Sequence, residues 1–172
     1  LSEHGFLPVI SSFASFLTGK YDVIRVSIAY SNAPVVIVGT HSGMAIGKDG
    51  VTQMGLEDIS LMRALPNMQV FQPSTYNECV SIVKYVLENK TLNNPVYLRL
   101  GRQPVKEVFD EPPVFYPGIS QNIKTGEDIC FFSSGCVLPE VVESSVLLEK
   151  AGYNSGIINF PSVKPIDKSA II

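Results

Sequence analysis

The residues best suited to chemistry gather in Thr40 to Gln53, THSGMAIGKDGVTQ, which carries His41, one of only two histidines, with Lys48, Asp49, Gly43, Gly47 and Gly50. An imidazole there could donate to a phosphate or sugar oxygen, or serve as a hydrogen-bonded structural residue. Asp49 beside Gly50 reads from its spacing as a turn former. Farther along, Arg102 and Gln103 follow the segment VYLRLG, and a guanidinium there could grip a phosphate with two parallel hydrogen bonds. Arg99, earlier on that segment, reads as a solvent-facing or ion-paired residue of the alternate face. Phe13 and Phe16 are spaced for one helical face and read as core, with stacking on a flat heterocycle as the alternative. The glycines make neither a dinucleotide nor a P-loop pattern. No Ser-His-Asp or Cys-His-Asn arrangement can be built, and no carboxylate pair stands out. Taken alone, these residues describe an anion-friendly crevice at strand ends and name no reaction.

The crevice needs a scaffold. Val35 to Val38 is an unbroken apolar run, as expected of a strand covered on both faces. LEDISLMRAL, beyond the loop, has helical periodicity that places Leu56, Ile59, Met62 and Ala64 or Leu65 on one face. Thr40 to Gln53 is then a long loop leaving the carboxyl end of a buried strand, where open α/β sheets bind ligands. Upstream, the pattern predicts a serine-capped helix from Ser11 or Ser12 and another from about Asp22, with Val23, Val26, Ile28 and Tyr30 interleaved with polar residues. Downstream, MQVFQPS reads as a strand and Thr75 to Lys90 as a helix with Thr75 as N-cap and Glu78 three residues on. Val80, Val83, Tyr85, Val86 and Leu87 supply its expected buried stripe, and VYLRLG follows as a strand.

Residues 105–122 are proline-rich without helical period and read as a linker. The pattern restarts with DICFFSSG as a strand, LPEVVESSVLLEKAG as a helix and SGIINFP as a strand, one βαβ unit. Glu140, Glu143, Glu149 and Lys150 form that helix's solvated face, and DKSAII reads as the first turn of another helix. Alternating strands and helices predict an α/β fold of mostly parallel sheets with flanking helices, one domain over 1–104 and part of a second over 123–172.

Composition narrows the class. With 172 residues, 45% of them apolar and 17% charged, the chain can bury a sizeable core. A net charge of -3 without a basic run suggests no nucleic-acid or anionic-membrane partner. Cys79, Cys130 and Cys136 lack zinc spacing, and an odd count is a poor disulfide framework, so reduced thiols in a cytoplasmic protein are expected. No apolar run reaches membrane-spanning length. The chain starts without methionine, and both ends suggest a portion of a longer polypeptide.

The motifs also resemble a known family. THSGMAIGKDGVTQ, GLEDISLMRALPNMQVFQPS and NPVYLRLGRQPV resemble the pyrimidine-binding domain of transketolases, most of all the split type whose carboxy-terminal half is a separate polypeptide. SSFASFL, GEDICFFSSG and INFPSVKPID match in the same order, so the resemblance covers nearly the whole chain. It implies thiamine-diphosphate-dependent transfer of a two-carbon ketol unit between phosphorylated sugars, with the cofactor bound at a dimer interface. It also implies that Phe13 and Phe16 surround the aminopyrimidine ring, that His41 and Arg102 bind the sugar phosphate, and that Asp49 recognises a substrate hydroxyl. Gln53 and Met54 stand where the family has histidine and glutamine, which makes Gln53 a substrate-binding residue without imidazolium chemistry. Gly19 replaces a residue aromatic in some relatives.

The family glutamate that protonates the aminopyrimidine, and the strand before it, would precede the first residue; Glu3 is too close to Phe13 to be it. The pyrophosphate and magnesium or calcium site would lie on another domain or subunit, in a homodimer or heterotetramer. Alternatives sharing the fold are deoxyxylulose-phosphate synthase, a β-type subunit of a 2-oxo-acid dehydrogenase, and a non-catalytic assembly module.

Overall fold

β-Branched runs set the first layer. In the computed structural model, which describes residues 1–88 and 93–172, strands β1 (Val9–Phe13), β2 (Val36–Thr40), β3 (Gln69–Phe71) and β4 (Val96–Arg99) are all parallel, in the order β1-β2-β4-β3. They belong to a compact unit of residues 1–71 and 86–104. Ile37, Val70, Val96 and Tyr97 are fully or almost fully buried, as a parallel sheet covered on both faces requires.

At the start of this unit one expectation fails, and another, the helix from about Asp22, is met with a different geometry. Ser11 and Ser12 do not open a helix: Val9 to Phe13 pair residue for residue with Val36 to Thr40, and helix α1 (Ala14–Thr18) begins only after Phe13. Helical spacing over so few residues is weaker than a ladder that satisfies both backbones, and β-branched Val9 and Ile10 favour the ladder. Helix α2 (Tyr21–Ile24) runs directly into a π-helical segment, Arg25–Tyr30. The wider turn puts Ile24 and Ala29, five residues apart, on the buried face and leaves Val23, Val26 and Tyr30 exposed.

Helix α3 (Asp58–Ala64) buries Met62 and is followed by buried Leu65, while Leu56 of the expected stripe is exposed. Helix α4 (Tyr76–Glu88) buries Glu78, Ile82 and Val86, a strict four-residue spacing. Of the expected stripe only Val86 is among these; Val83 and Leu87 are exposed. The expected extension through Lys90 lies outside the described residues. Glu78 closes on Ser74 rather than on Thr75, accepting from the Ser74 N–H at 2.6 Å and its hydroxyl at 2.5 Å.

The second unit comprises residues 72–85 and 105–172. Strands β5 (Gln121–Lys124), β6 (Ile129–Ser133) and β7 (Ser155–Asn159) form a sheet in the order β5-β7-β6, with β6 parallel and β5 antiparallel to β7. Helix α5 (Leu138–Lys150) connects β6 to β7, so the βαβ pattern is realised, and Glu140, Glu143, Glu149 and Lys150 are solvent-exposed. A short strand β8 (Ser162–Lys164) precedes a single turn in which Asp167 accepts from the Ser169 and Ala170 N–H groups at 3.1 and 3.2 Å. The three cysteines are free, and among the described residues no helix is long and apolar enough to cross a membrane.

Candidate functional site

The site is built at the carboxyl ends of β1, β2 and β4. His41 follows β2 directly, with φ 55° in the left-handed region. Its ring stacks on Phe13 with centroids 3.9 Å apart and planes 16° apart, and Phe13 in turn lies parallel to Phe16 at 5.4 Å. Phe13 ends β1 and Phe16 sits on α1, so the change from strand to helix at residue 13 sets the spacing of the two rings. Phe16 remains half exposed and presents an open aromatic face. The Thr40 hydroxyl donates to the Ser12 carbonyl at 3.2 Å and lies 3.1 Å from His41 Nδ1. With that proton committed, Oγ1 accepts from Nδ1–H; Nε2 is then an acceptor on neutral imidazole and a donor only on imidazolium.

The loop after His41 is tied at its neck. Ser42 donates from its N–H and its hydroxyl to the Leu100 carbonyl at 3.1 and 2.9 Å, and the Gly43 N–H donates to the Gly55 carbonyl at 2.9 Å. Between these ties run two 3-10 turns, Gly47–Asp49 and Val51–Gln53, and Ile46 is fully buried as the loop's apolar anchor. Arg102, in the loop after β4, donates from Nη1 to the Ile46 carbonyl and stands 3.6 Å from Asp49 Oδ2, both side chains half exposed. The expected site residues therefore form two groups, His41 with Phe13 and Phe16, and Arg102 with Asp49. Gln53 joins neither; its Oε1 is buried and unpartnered, as is the Ser15 hydroxyl of α1. A buried acceptor without a donor suits a ligand hydroxyl or an ordered water.

Beneath the loop lies a network of which sequence reasoning read only one part, Arg99 as an ion-paired residue. Asp58, fully buried in the first turn of α3, accepts on Oδ2 from the Tyr97 hydroxyl at 2.8 Å and from Arg99 Nε at 2.9 Å. Arg99 Nη2 reaches the Gly55 carbonyl at 3.3 Å. Burial first, and then the Asp58 charge and hydrogen bond, hold the Tyr97 phenol well above its ordinary pKa. Tyr97 reaches Asp58 across Gly39: a Cβ at that glycine would fall 2.5 Å from the phenol Cζ and nearer still to its hydroxyl. A Cβ at Gly55 would sit 2.5 Å from that of Ala14, so the loop's return strand presses against the start of α1. The signal for this network was a carboxylate opening a helix whose neighbouring strand supplies both a phenol and a guanidinium.

Among the described residues, no group of three or more His, Cys, Asp or Glu side chains could hold a metal ion. Residues 1–107, more than half of the chain, match the family described as transketolase, pyrimidine binding domain. The chain belongs to that family. A protein provisionally described as a transketolase C-terminal section from Methanocaldococcus jannaschii is 32% identical over 99% of this transketolase-family chain and 54% of its own length. A subunit of the apulose-4-phosphate transketolase of Actinobacillus succinogenes is 30% identical over 99% of the chain and 54% of its length. A solved structure of a split gene transketolase, an inactive beta4 tetramer, superposes with a TM-score of 0.88 at 37% identity, covering 99% of this chain and 54% of that one. The fold of the transketolase pyrimidine domain is thus shared, and the chain spans about half the length of the curated relatives it matches.

Proposed function

We propose that this chain supplies the pyrimidine-facing and sugar-binding surfaces of a thiamine-diphosphate-dependent transketolase-type transferase. The reaction is transfer of a two-carbon ketol unit between phosphorylated sugars. The observation that supports this most is the aromatic group at the ends of β1 and β2, Phe13, Phe16 and His41, inside the segment that matches the family. The half-exposed face of Phe16 fits a flat heterocycle such as the aminopyrimidine. When bound, thiamine diphosphate supplies the nucleophilic carbon. The chain's own residues place the substrate: Arg102 and His41 hold its phosphate, Asp49 accepts from a hydroxyl, and the orphan Oε1 of Gln53 accepts from another.

On this reading residues 1–104 are the pyrimidine domain, 105–122 a linker and 123–172 the start of the transketolase C-terminal domain. The diphosphate and its magnesium or calcium ion are held by a pyrophosphate-binding domain or subunit, in a cytoplasmic homodimer or heterotetramer. The inactive beta4 tetramer of the split-gene relative is in keeping with a chain that works only with such a partner. Titration calorimetry tests the division of labour: thiamine diphosphate with magnesium should bind the chain tightly only when the pyrophosphate-binding partner is present. Tight binding to the isolated chain would sink it. Assay of the assembled enzyme with ketose phosphates against pyruvate separates transketolase chemistry from that of a deoxyxylulose-phosphate synthase.

A further inference from the structure

The Gly55 carbonyl is the point at which the loop closes, and it accepts from both the Gly43 N–H, at 2.9 Å, and Arg99 Nη2, at 3.3 Å. The same guanidinium is fixed by its Nε to Asp58, 2.9 Å away, with side-chain exposures of 13% and 0%. Asp58 also takes the Tyr97 hydroxyl, yet its Oδ1 is buried without a partner. A buried ion pair with an unsatisfied oxygen adds little net stability over apolar packing of the same volume, because desolvation offsets most of the attraction. What the pair does supply is direction. Only a planar fork can bond a carboxylate through one nitrogen and a carbonyl through another at fixed angles. Strand β4, helix α3 and the loop neck are held in one geometry by that fork.

We infer that Arg99 is a positioning residue that clamps the neck of the 43–55 loop and thereby sets where Asp49 and Gln53 stand. His41 lies before the clamped segment, whereas Arg102, after β4, reaches into it through its bond to the Ile46 carbonyl. Loosening the clamp should therefore cost the loop's own side chains their alignment while the backbones of β2 and β4 keep theirs. That functional consequence rests on the roles proposed above for Asp49 and Gln53; the clamp itself does not.

Amide hydrogen exchange on the chain tests the clamp without any activity assay. In Arg99→Lys the ammonium keeps its charge near Asp58 but lacks the second nitrogen that reaches Gly55. The Gly43 amide should then exchange at least about tenfold faster, the loss of one hydrogen bond from a charged donor, while Ile37 and Leu98 amides stay within about twofold. Tyr97→Phe, which removes a bond to Asp58 without touching Gly55, should lower the melting temperature but leave Gly43 exchange unchanged. Should Arg99→Lys fold poorly, the neutral pair Asp58→Asn with Arg99→Gln is read by the same criterion. Unchanged Gly43 exchange in the Arg99 variants overturns the clamp, and so does equal acceleration in Tyr97→Phe, which would reduce Arg99 to one more core contact. If the clamp stands but Arg99→Lys in the assembled enzyme leaves discrimination between sugar isomers intact, it is the assignment of Asp49 and Gln53 that fails.

Discussion

Gly39→Ala should be among the most damaging small substitutions in the chain, although it adds a single methyl group. Gly39 has no left-handed φ, so alanine can adopt its backbone and any cost arises from packing. The new Cβ would lie 2.5 Å from Tyr97 Cζ and 2.9 Å from Cε2. Tyr97 is fully buried and cannot swing into solvent, so the phenol must shift and release Asp58. Overpacking costs roughly 1–3 kcal/mol, and a lost hydrogen bond to a charged acceptor roughly 1.5–3 kcal/mol. Reduced unfolded-state entropy returns about 0.4–1 kcal/mol, leaving a net destabilisation of roughly 2–5 kcal/mol. Because the chain has no tryptophan, urea unfolding followed by far-ultraviolet circular dichroism is the suitable assay. The control is Tyr97→Leu, whose side chain ends short of Gly39; in that background Gly39→Ala should cost less than about 1 kcal/mol, an interaction that a double-mutant cycle isolates. Equal costs in both backgrounds, or a cost below about 1 kcal/mol in the parent, would refute the claim that Tyr97 reaches Asp58 across this glycine.

Burial raises the Glu78 carboxyl above its ordinary 4.5, against the hydrogen bonds from Ser74 and Asn159. Its contribution is complete below that ordinary value and is lost as pH rises through the raised folded value. Melting temperatures should therefore fall in the parent relative to Glu78→Gln as pH rises from about 4 toward neutrality, and a constant difference would count against it. The variant is tolerable because Asn159 Oδ1 and Gln121 Nε2, now unpartnered, can turn to meet the new amide. In the assembled enzyme, Arg102→Ala and His41→Ala should each raise KM for phosphorylated sugars by roughly tenfold or more, with a smaller fall in kcat. The same loss with unphosphorylated sugars would remove the phosphate role. Asp49→Asn should leave inorganic phosphate binding intact or slightly tighter, since its half-exposed carboxylate now stands 3.6 Å from Arg102; weaker binding would contradict the pairing.

The strand before the loop, the helix after it and the βαβ unit were legible because apolar runs and periodicity are local properties of a chain. The gathering of Asp49 with Arg102 was not, since it depends on the loop turning back over β4. Phe13 and Phe16 read as neighbours on one helix, yet they meet because a strand ends at the first and a helix carries the second. The π-helical turn at Arg25–Tyr30 departs from a 3.6-residue template, since its buried Ala29 follows the buried Ile24 of α2 by five residues. The burial of Asp58 and Glu78 was not legible for a different reason. A carboxylate near a helix start is normally a solvated cap, and only the partners brought from β4 in one case and from Asn159 in the other make burial tolerable.

The left-handed backbone of His41 also limits what mutation can put there. At φ 55° a β-branched or bulky side chain is strained, whereas glycine, asparagine, aspartate and histidine are the residues that visit this region with least penalty. Of those four, only histidine offers an aromatic ring to lie on Phe13 and a nitrogen that can carry a positive charge. The chemical alphabet at this position is thus narrowed by geometry before any ligand is considered. Variation here should drift toward Asn or Gly, losing the ring, and not toward Lys or Arg, which would keep the charge.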